Sequence, residues 1–491
     1  MTSDAPAQPR IVLATINARY THTAYGLRCV WSALGDLRAV TAIREFTLEH
    51  PPLDIAERLL TDNPEIIGLG VYIWNVAAMT RVVQAIKAVR PEVVVVLGGP
   101  EVGYEYEDTP IFAWADYLVR GEGEEAFPAL AAAVLGGEPP PEKVISAPPA
   151  DLARLPLPYD AYTPEDIEKR VVYVEASRGC PFDCEFCLSA LDERVREFPM
   201  NAFLEALGRL IARGARRINF VDRTFNLKPR RVAALLAFLH EHWRDGLRVH
   251  FEIVPDRLSP AMLEWMARFP AGGLHLEVGV QTFHPEAQAA ISRRQNLEKT
   301  EETLRFLRTQ TGALLHADLV AGLPCETWDS FGAGFDRLTA LEPHEIQVGI
   351  LKRLKGAPIA RHIPTHAMAF ADTPPYEILQ TDLLDFAQLQ RIKRFARYFD
   401  LYCNSGNFPT ALGLLWRTRA SRFEAFMGLS DWIWTRTQRT HQFPLEHLVR
   451  LLFTYLTAQG VDPPETIAAA LETDYHRLPG RRERLRLSGA G

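Results

Sequence analysis

Cysteine is scarce in this chain, with six in 491 residues, too few for a disulfide framework to staple so long a polypeptide. Long apolar runs are missing as well. None approaches the ~20 residues that a membrane helix needs, and the opening MTSDAPAQPR lacks the charged-then-apolar pattern of a signal peptide. The expected location is therefore cytoplasmic, with no membrane partner. Neither sign of charge dominates: the net charge is −7, which gives nucleic acid no electrostatic footing as the main partner. The basic tail Arg481, Arg482, Arg484 and Arg486 reads as a solvated terminus. Internal repeats are absent, and the one biased segment is rich in proline.

What is present is strand–helix alternation in two registers. At 491 residues the chain exceeds one hydrophobic core, so two or three domains are expected. Short apolar runs at 11–15, 40–46, 66–71, 93–97 and 117–119 read as strands buried on both faces. Between them Val82, Val83, Ile86 and Val89 place four apolar groups on one helix face. This predicts an α/β, flavodoxin-like doubly wound domain over residues 1–138, binding its ligand at the carboxyl ends of the strands. The prolines between Gly136 and Pro158 leave no regular element, so 139–169 reads as a linker. From Val171 the alternation resumes with candidate strands at 171–176, 217–221, 249–254, 274–280, 314–320 and 346–350. Six such units predict a partial (β/α)6 TIM-like barrel over 170–365. After about residue 366 the strand signals stop, and a mainly helical domain is expected over 366–491.

Three of the six cysteines fall within eight residues, in Ser177-Arg-Gly-Cys180-Pro-Phe-Asp-Cys184-Glu-Phe-Cys187, directly after the first barrel strand. Three thiolates on one loop can hold three irons of a four-iron cluster and leave the fourth iron open. That open position can chelate the amine and carboxylate of S-adenosylmethionine and pass an electron into its sulfonium. A structural zinc site is the bland alternative. Zinc prefers four protein ligands, commonly in paired C-x2-C units, whereas here the spacing is x3 then x2 with no fourth Cys or His in the loop.

With these residues the sequence resembles the radical SAM superfamily, whose C-x3-C-x2-C loop is matched by Cys180, Cys184 and Cys187. The resemblance covers roughly residues 170 to 360. It implies a catalytic [4Fe-4S] cluster on these cysteines and Phe186 lying against the adenine of S-adenosylmethionine. Asn219-Phe-Val-Asp222-Arg223-Thr-Phe225 is similar to the segment that meets the methionine amino group, with Arg223 in place of the usual second acid. Glu277-Val-Gly-Val-Gln281 looks like the ribose-binding stretch, and Asp318-Leu-Val-Ala-Gly322-Leu323-Pro-Cys325-Glu326-Thr resembles the family's GLPGET run, with Cys325 where glycine is usual. Taken alone, Asp222 and Glu277 also suit ordinary salt bridges at strand ends, and Cys325 suits a small buried side chain.

A doubly wound domain ahead of such a barrel resembles the cobalamin-binding radical SAM proteins. The matching stretches contain Tyr72, Ile73, Trp74 and Asn75, then Gly98, Gly99, Pro100 and Glu101, then Gly121 and Glu122, which are implied to contact cobalamin. The D-x-H-x-x-G loop that supplies an axial histidine elsewhere is absent. Tyr72 or Trp74 is expected to cover the lower cobalt face, and His22 to serve the start of a helix.

The resemblance implies an enzyme that cleaves S-adenosylmethionine to a 5′-deoxyadenosyl radical and, through methylcobalamin, methylates an unactivated carbon. A small-molecule or peptide substrate and an external one-electron reductant of flavodoxin or ferredoxin type are the expected partners. Rearrangement or ring formation without methylation is the alternative within the family, and a non-catalytic cobalamin- or metal-binding sensor the alternative outside it. A tRNA methylthiotransferase would need three further cysteines ahead of the triad, where only Cys29 stands. Trp432 and Trp434 with Arg417, Arg419, Arg436 and Arg439 read as ordinary core and surface of the helical domain, with a substrate entrance as the rarer reading.

Overall fold

The computed structural model describes residues 8–477 and Leu487; the basic tail Arg481, Arg482, Arg484 and Arg486 lies outside the described residues. Two six-stranded parallel sheets organise the chain. The first holds β1 (Ile11–Asn17), β2 (Thr41–Thr47), β3 (Ile66–Gly70), β4 (Val94–Gly98), β5 (Tyr117–Arg120) and β6 (Val144–Ser146), in the order β2-β1-β3-β4-β5-β6. All seven residues of β1 are buried, as helices cover both faces of the sheet. The order reverses between β1 and β3, and loops at such a switch point open a crevice at the carboxyl ends of the strands.

Two expectations fail here for physical reasons. The proline-rich stretch is not devoid of regular structure: Val144-Ile145-Ser146 pairs with β5 as the sixth strand. The prolines flank this three-residue run without entering it, and an edge strand needs partners on one side only. Further on, Thr163 and Asp166 form a reciprocal capping box that starts the helix Pro164–Lys169. In the helix Val76–Val89 the stripe Val82, Val83, Ile86 is buried, but Val89 at the frayed end is 68% exposed.

The second sheet holds β7 (Val172–Val174), β10 (Arg217–Phe220), β11 (Arg248–Ile253), β12 (Leu274–Gln281), β13 (Leu314–Ala321) and β14 (Glu345–Ile350), in the order β14-β13-β12-β11-β10-β7. A short ribbon of β8 (Ser177–Arg178) and β9 (Arg196–Glu197) brackets the cysteine loop. Strand alternation decides the character of the two faces. Along β12, Leu274, Leu276, Val278 and Val280 are fully buried under helices, while His275, Glu277, Gly279 and Gln281 take the other face. The concave face is thus polar from end to end. Strand signals do not stop at 366, because Ala369–Phe370 (β15) and Ile378–Gln380 (β16) form a small antiparallel pair before the helices begin. No helix among the described residues is long and apolar enough to cross a membrane.

Candidate active site in two adjoining cavities

The cysteine loop leaves β7 and crosses the carboxyl ends of the barrel strands. Gly179 makes the turn possible: its φ is +86°, and a Cβ there would stand 2.4 Å from the Arg194 carbonyl oxygen. Glu185, between the second and third cysteines, anchors the loop from beneath. Its buried carboxylate accepts from Ser292 Oγ at 2.7 Å and from His362 Nε2 at 2.7 Å, and pairs with Arg361. Its backbone oxygen takes the Ile359 N–H.

Cys180, Cys184 and Cys187 wall one side of a cavity of about 150 Å³ whose other walls include Phe186, Ser189, Arg223, Glu252, Glu277, Gln281, Arg293 and Asp318. None of the three cysteines is in a disulfide. Burial raises the Cys184 thiol, and the Arg293 guanidinium, 3.5 Å from its sulfur, works in the opposite direction. Among the described residues the one trio of Cys, His, Asp or Glu ligand atoms lying within 4.8 Å of one another is elsewhere in the molecule. The sulfurs therefore stand too far apart for a single tetrahedral zinc, whose bonds of about 2.3 Å would bring them to about 3.8 Å. Three spread thiols with no fourth protein sulfur in the wall fit a larger polynuclear centre.

The carboxylates around this cavity differ in charge. Glu277 is held below the usual range first by the hydrogen bond from His250, 3.1 Å away. Burial pushes Glu252 up to about 7, against the pull of Arg223, and raises Asp318 as well. Asp222 is not in the wall: its carboxylate accepts from the Ala176 N–H at 2.9 Å and Ser177 Oγ at 2.6 Å, and burial raises it to about 6. Leu323 is fully buried in a cluster against which Phe186 packs. Cys325 lies outside the cavity, with its sulfur 3.9 Å from His366 Nε2. Glu252, Ser189 and Arg293 went unnoticed in the sequence. Glu252 alone carried a signal, as an acid in the polar alternation of β11.

A second, larger cleft of about 820 Å³ opens at the switch point of the first sheet, lined by Asn17, His22, Gly26, Tyr72, Trp74, Pro100, Glu122, Tyr173, Glu175 and Arg178. Tyr72 and Trp74 stack at 4.5 Å with planes 7° apart, and Trp74 remains 44% exposed. His22 Nδ1 lies 2.6 Å from the Tyr173 hydroxyl. This volume and one flat aromatic wall suit a large planar ligand. Other residues expected at the cofactor are engaged in holding the loops. Asn75 is fully buried, donating to Thr15 Oγ1 and the Ile16 and Gly70 carbonyls and accepting from the Tyr72 N–H. Gly99, at φ +105°, is required because a Cβ would meet the Val71 oxygen at 2.5 Å. Glu101 accepts from the Tyr376 hydroxyl at 2.6 Å, and Glu122 pairs with Arg178 and Arg196. Gly98, Gly121 and Ile73 do not line the cleft. Neither Trp432 nor Trp434 lines either cavity; Arg436 and Arg394 cover their rings.

Ser189 and Arg223 line both cavities, so a thiol-lined chamber adjoins a switch-point cleft. Fold and site together define a two-chamber α/β protein built for two bound groups. Residues 11–131 match the family model described as the B12 binding domain, 174–337 that of the radical SAM superfamily, and 364–486 that of a protein of unknown function (DUF4080). The chain thus carries a B12-binding domain followed by a radical SAM domain.

The cobalamin-dependent radical SAM methyltransferase TokK of Streptomyces tokunonensis is 27% identical over 64% of this chain and 50% of its own length. The anaerobic magnesium-protoporphyrin IX monomethyl ester cyclase of Rubrivivax gelatinosus is 24% identical over 56% and 54%. The chain thus spans about half the length of these curated relatives. Among solved structures, the radical S-adenosylmethionine methyltransferase TsrM of Kitasatospora setae, with cobalamin and a [4Fe-4S] cluster bound, superposes with a TM-score of 0.59 at 18% identity, over 74% of this chain and 78% of that one. The cobalamin-dependent enzyme OxsB, with aqua-cobalamin bound, gives 0.65 at 14% identity over 95% and 79%. These likenesses show the fold.

Proposed function

We propose that this protein holds a [4Fe-4S] cluster on Cys180, Cys184 and Cys187 beside S-adenosylmethionine, holds cobalamin in the larger cleft, and methylates an unactivated carbon of a small-molecule or peptide substrate. The observation that carries this reading is the shared wall of Ser189 and Arg223, which sets the contents of one chamber next to those of the other. When bound, the cluster supplies the electron that breaks a carbon–sulfur bond of S-adenosylmethionine, and the corrin cobalt carries a methyl group.

The chain's own residues bind, orient and shield. Glu277, kept ionised by His250, offers a fixed acceptor to ribose hydroxyls, and Gln281 stands four residues further along the same strand face. Phe186, backed by the Leu323 cluster, presents a ring for a purine. Arg293 places a cation beside Cys184 and so offsets negative charge on the thiolates. In the cleft, the stacked Tyr72 and Trp74 give a flat apolar floor for a corrin face. A flavodoxin- or ferredoxin-type protein is the electron source.

The test is anaerobic reconstitution of the full chain with iron, sulfide and cobalamin, followed by S-adenosylmethionine, reductant and mass analysis. Both 5′-deoxyadenosine and S-adenosylhomocysteine are expected from the native chain and neither from Cys184→Ala. Deoxyadenosine without S-adenosylhomocysteine would replace methyl transfer by another radical outcome. Neither product from a cluster-loaded chain would overturn the proposal.

A further inference from the structure

At the opposite end of the barrel strands from the cysteines, three consecutive strands bring a second donor set together. His275 stands near the start of β12, His316 near the start of β13 and Glu345 begins β14. His316 and Glu345 are register partners. One ligand atom from each of the three residues lies within 4.8 Å of the other two. His316 Nδ1 is 3.2 Å from Glu345 Oε2, close to the ~3.3 Å between two donors bonded at about 2.0–2.1 Å to one tetrahedral ion. The other nitrogen, Nε2, is 3.2 Å from Asp318 Oδ1. A ligating histidine characteristically turns its remaining nitrogen towards a carboxylate, and here Nε2 faces Asp318 at contact distance without a completed hydrogen bond.

An ordinary ion pair explains only part of this arrangement. A charged His316 between Asp318 and Glu345 would satisfy those two acids but leaves His275 unused. No hydrogen bond to the His275 ring occurs among the described residues; it meets the rings of His250 at 5.1 Å and His316 at 5.9 Å. His250 is itself committed to Glu277. Two imidazoles and a carboxylate converging on one point, with one imidazole lone pair free, call for a cation. Glu345 is 44% exposed, which gives an ion a way in and leaves room for water as a fourth ligand.

We propose that His275, His316 and Glu345 form a binding site for a first-row divalent cation, typified by zinc, with Asp318 as the carboxylate behind His316. The N2O donor set matches the nitrogen and oxygen preferences of such ions. The site clips together the last three strands of the sheet at its edge, β14, which Asn404 also caps at Ile346. Because Asp318 also walls the cysteine cavity, the same ion steadies a side chain at the other mouth of the barrel. The site does not depend on the function proposed above.

The experiment uses the full chain with its cluster already reconstituted, so that the cysteine loop is filled. It is equilibrated with zinc, desalted and analysed for iron and zinc, and its zinc-edge X-ray absorption is recorded. One zinc per chain is expected, with a first shell of nitrogen and oxygen that includes two imidazoles and no sulfur. His275→Ala and Glu345→Ala should each weaken zinc binding at least tenfold, and Asp318→Asn by about 10–100-fold. Absence of bound zinc, a sulfur shell at about 2.3 Å, or equal affinity in the His275→Ala chain would overturn the proposal. The native-chain spectrum decides the matter even where a variant fails to fold.

Discussion

Glu326 shows how a single buried acid tunes this molecule. Its carboxyl is almost wholly enclosed, accepts from Thr282 Oγ1 at 2.5 Å, and has its second oxygen buried without a partner. Burial pushes it up to about 8 from the ordinary 4.5. The folded chain therefore keeps a proton that the unfolded chain loses above its ordinary pKa. This group's contribution to stability falls as pH rises from about 4.5 towards about 8, and levels off beyond. Glu326→Gln keeps an acceptor for Thr282 but has no proton to lose. Its melting temperature should change less than that of the native chain across this interval, and equal slopes in the two proteins would contradict the argument. Such a residue is visible in the sequence as part of a motif, but its charge is not. Glu252 and Arg293, which belong to no motif, reach the cysteine cavity from β11 and from a loop near position 293. Spacing marked Cys180, Cys184 and Cys187 because one chemistry demands that pattern. Nothing in spacing marks an arginine more than a hundred residues away that leans on one of their sulfurs.

Among the elements, the short helix Pro164–Lys169 has the largest role for its size. Asp166 both closes the capping box with Thr163 and pairs with Arg28 and Arg170, which also hold Glu45 of β2. Arg28 and Asp166 are nearly inaccessible, with side chains 3% and 6% exposed. Thr163→Ala removes one cap and should cost about 1 kcal/mol. Asp166→Ala leaves two buried guanidinium groups short of an acceptor and should cost about 3–5 kcal/mol. Urea unfolding midpoints of the two variants would check this order. The element is hard to read from sequence because proline density speaks against it. The barrel and sheet strands were legible because short apolar runs alternating with helical stripes admit few other folds, and observed strand ends fall within a few residues of the expected ones. Flanking prolines gave no hint that three residues at 144–146 would complete a sheet. Partners on β5, remote in character from the linker, decide that.

On the scale of the whole molecule, Arg178 is one of several charged links between the two sheets, beside Arg170–Glu45 and Arg196–Glu122. The Arg178 guanidinium lies just before the cysteine loop and pairs with Glu175 beyond β7 and with Glu122 and Glu124 from the first sheet's side. Although burial works against its charge, Glu175 and Glu124 hold it firmly protonated. Arg178→Met keeps the apolar stem and leaves Glu124 and Glu175 without a cation, while Glu122 retains Arg196, a loss of about 3–5 kcal/mol. Calorimetry should then show unfolding at a lower temperature than in the native chain. An unshifted transition would mean that other contacts couple the sheets.

The anchoring of Glu185 also sets a schedule for biosynthesis. The carboxylate inside the cysteine loop is tied to a guanidinium 176 positions further along the chain, and its neighbour His362 supplies the companion bond. While the ribosome is still short of those codons, the nascent loop has its three thiols but not the brace that shapes them. Iron and sulfide delivered before that point would meet an unformed cradle, so the proposed centre could be assembled only once Arg361 and His362 are in place.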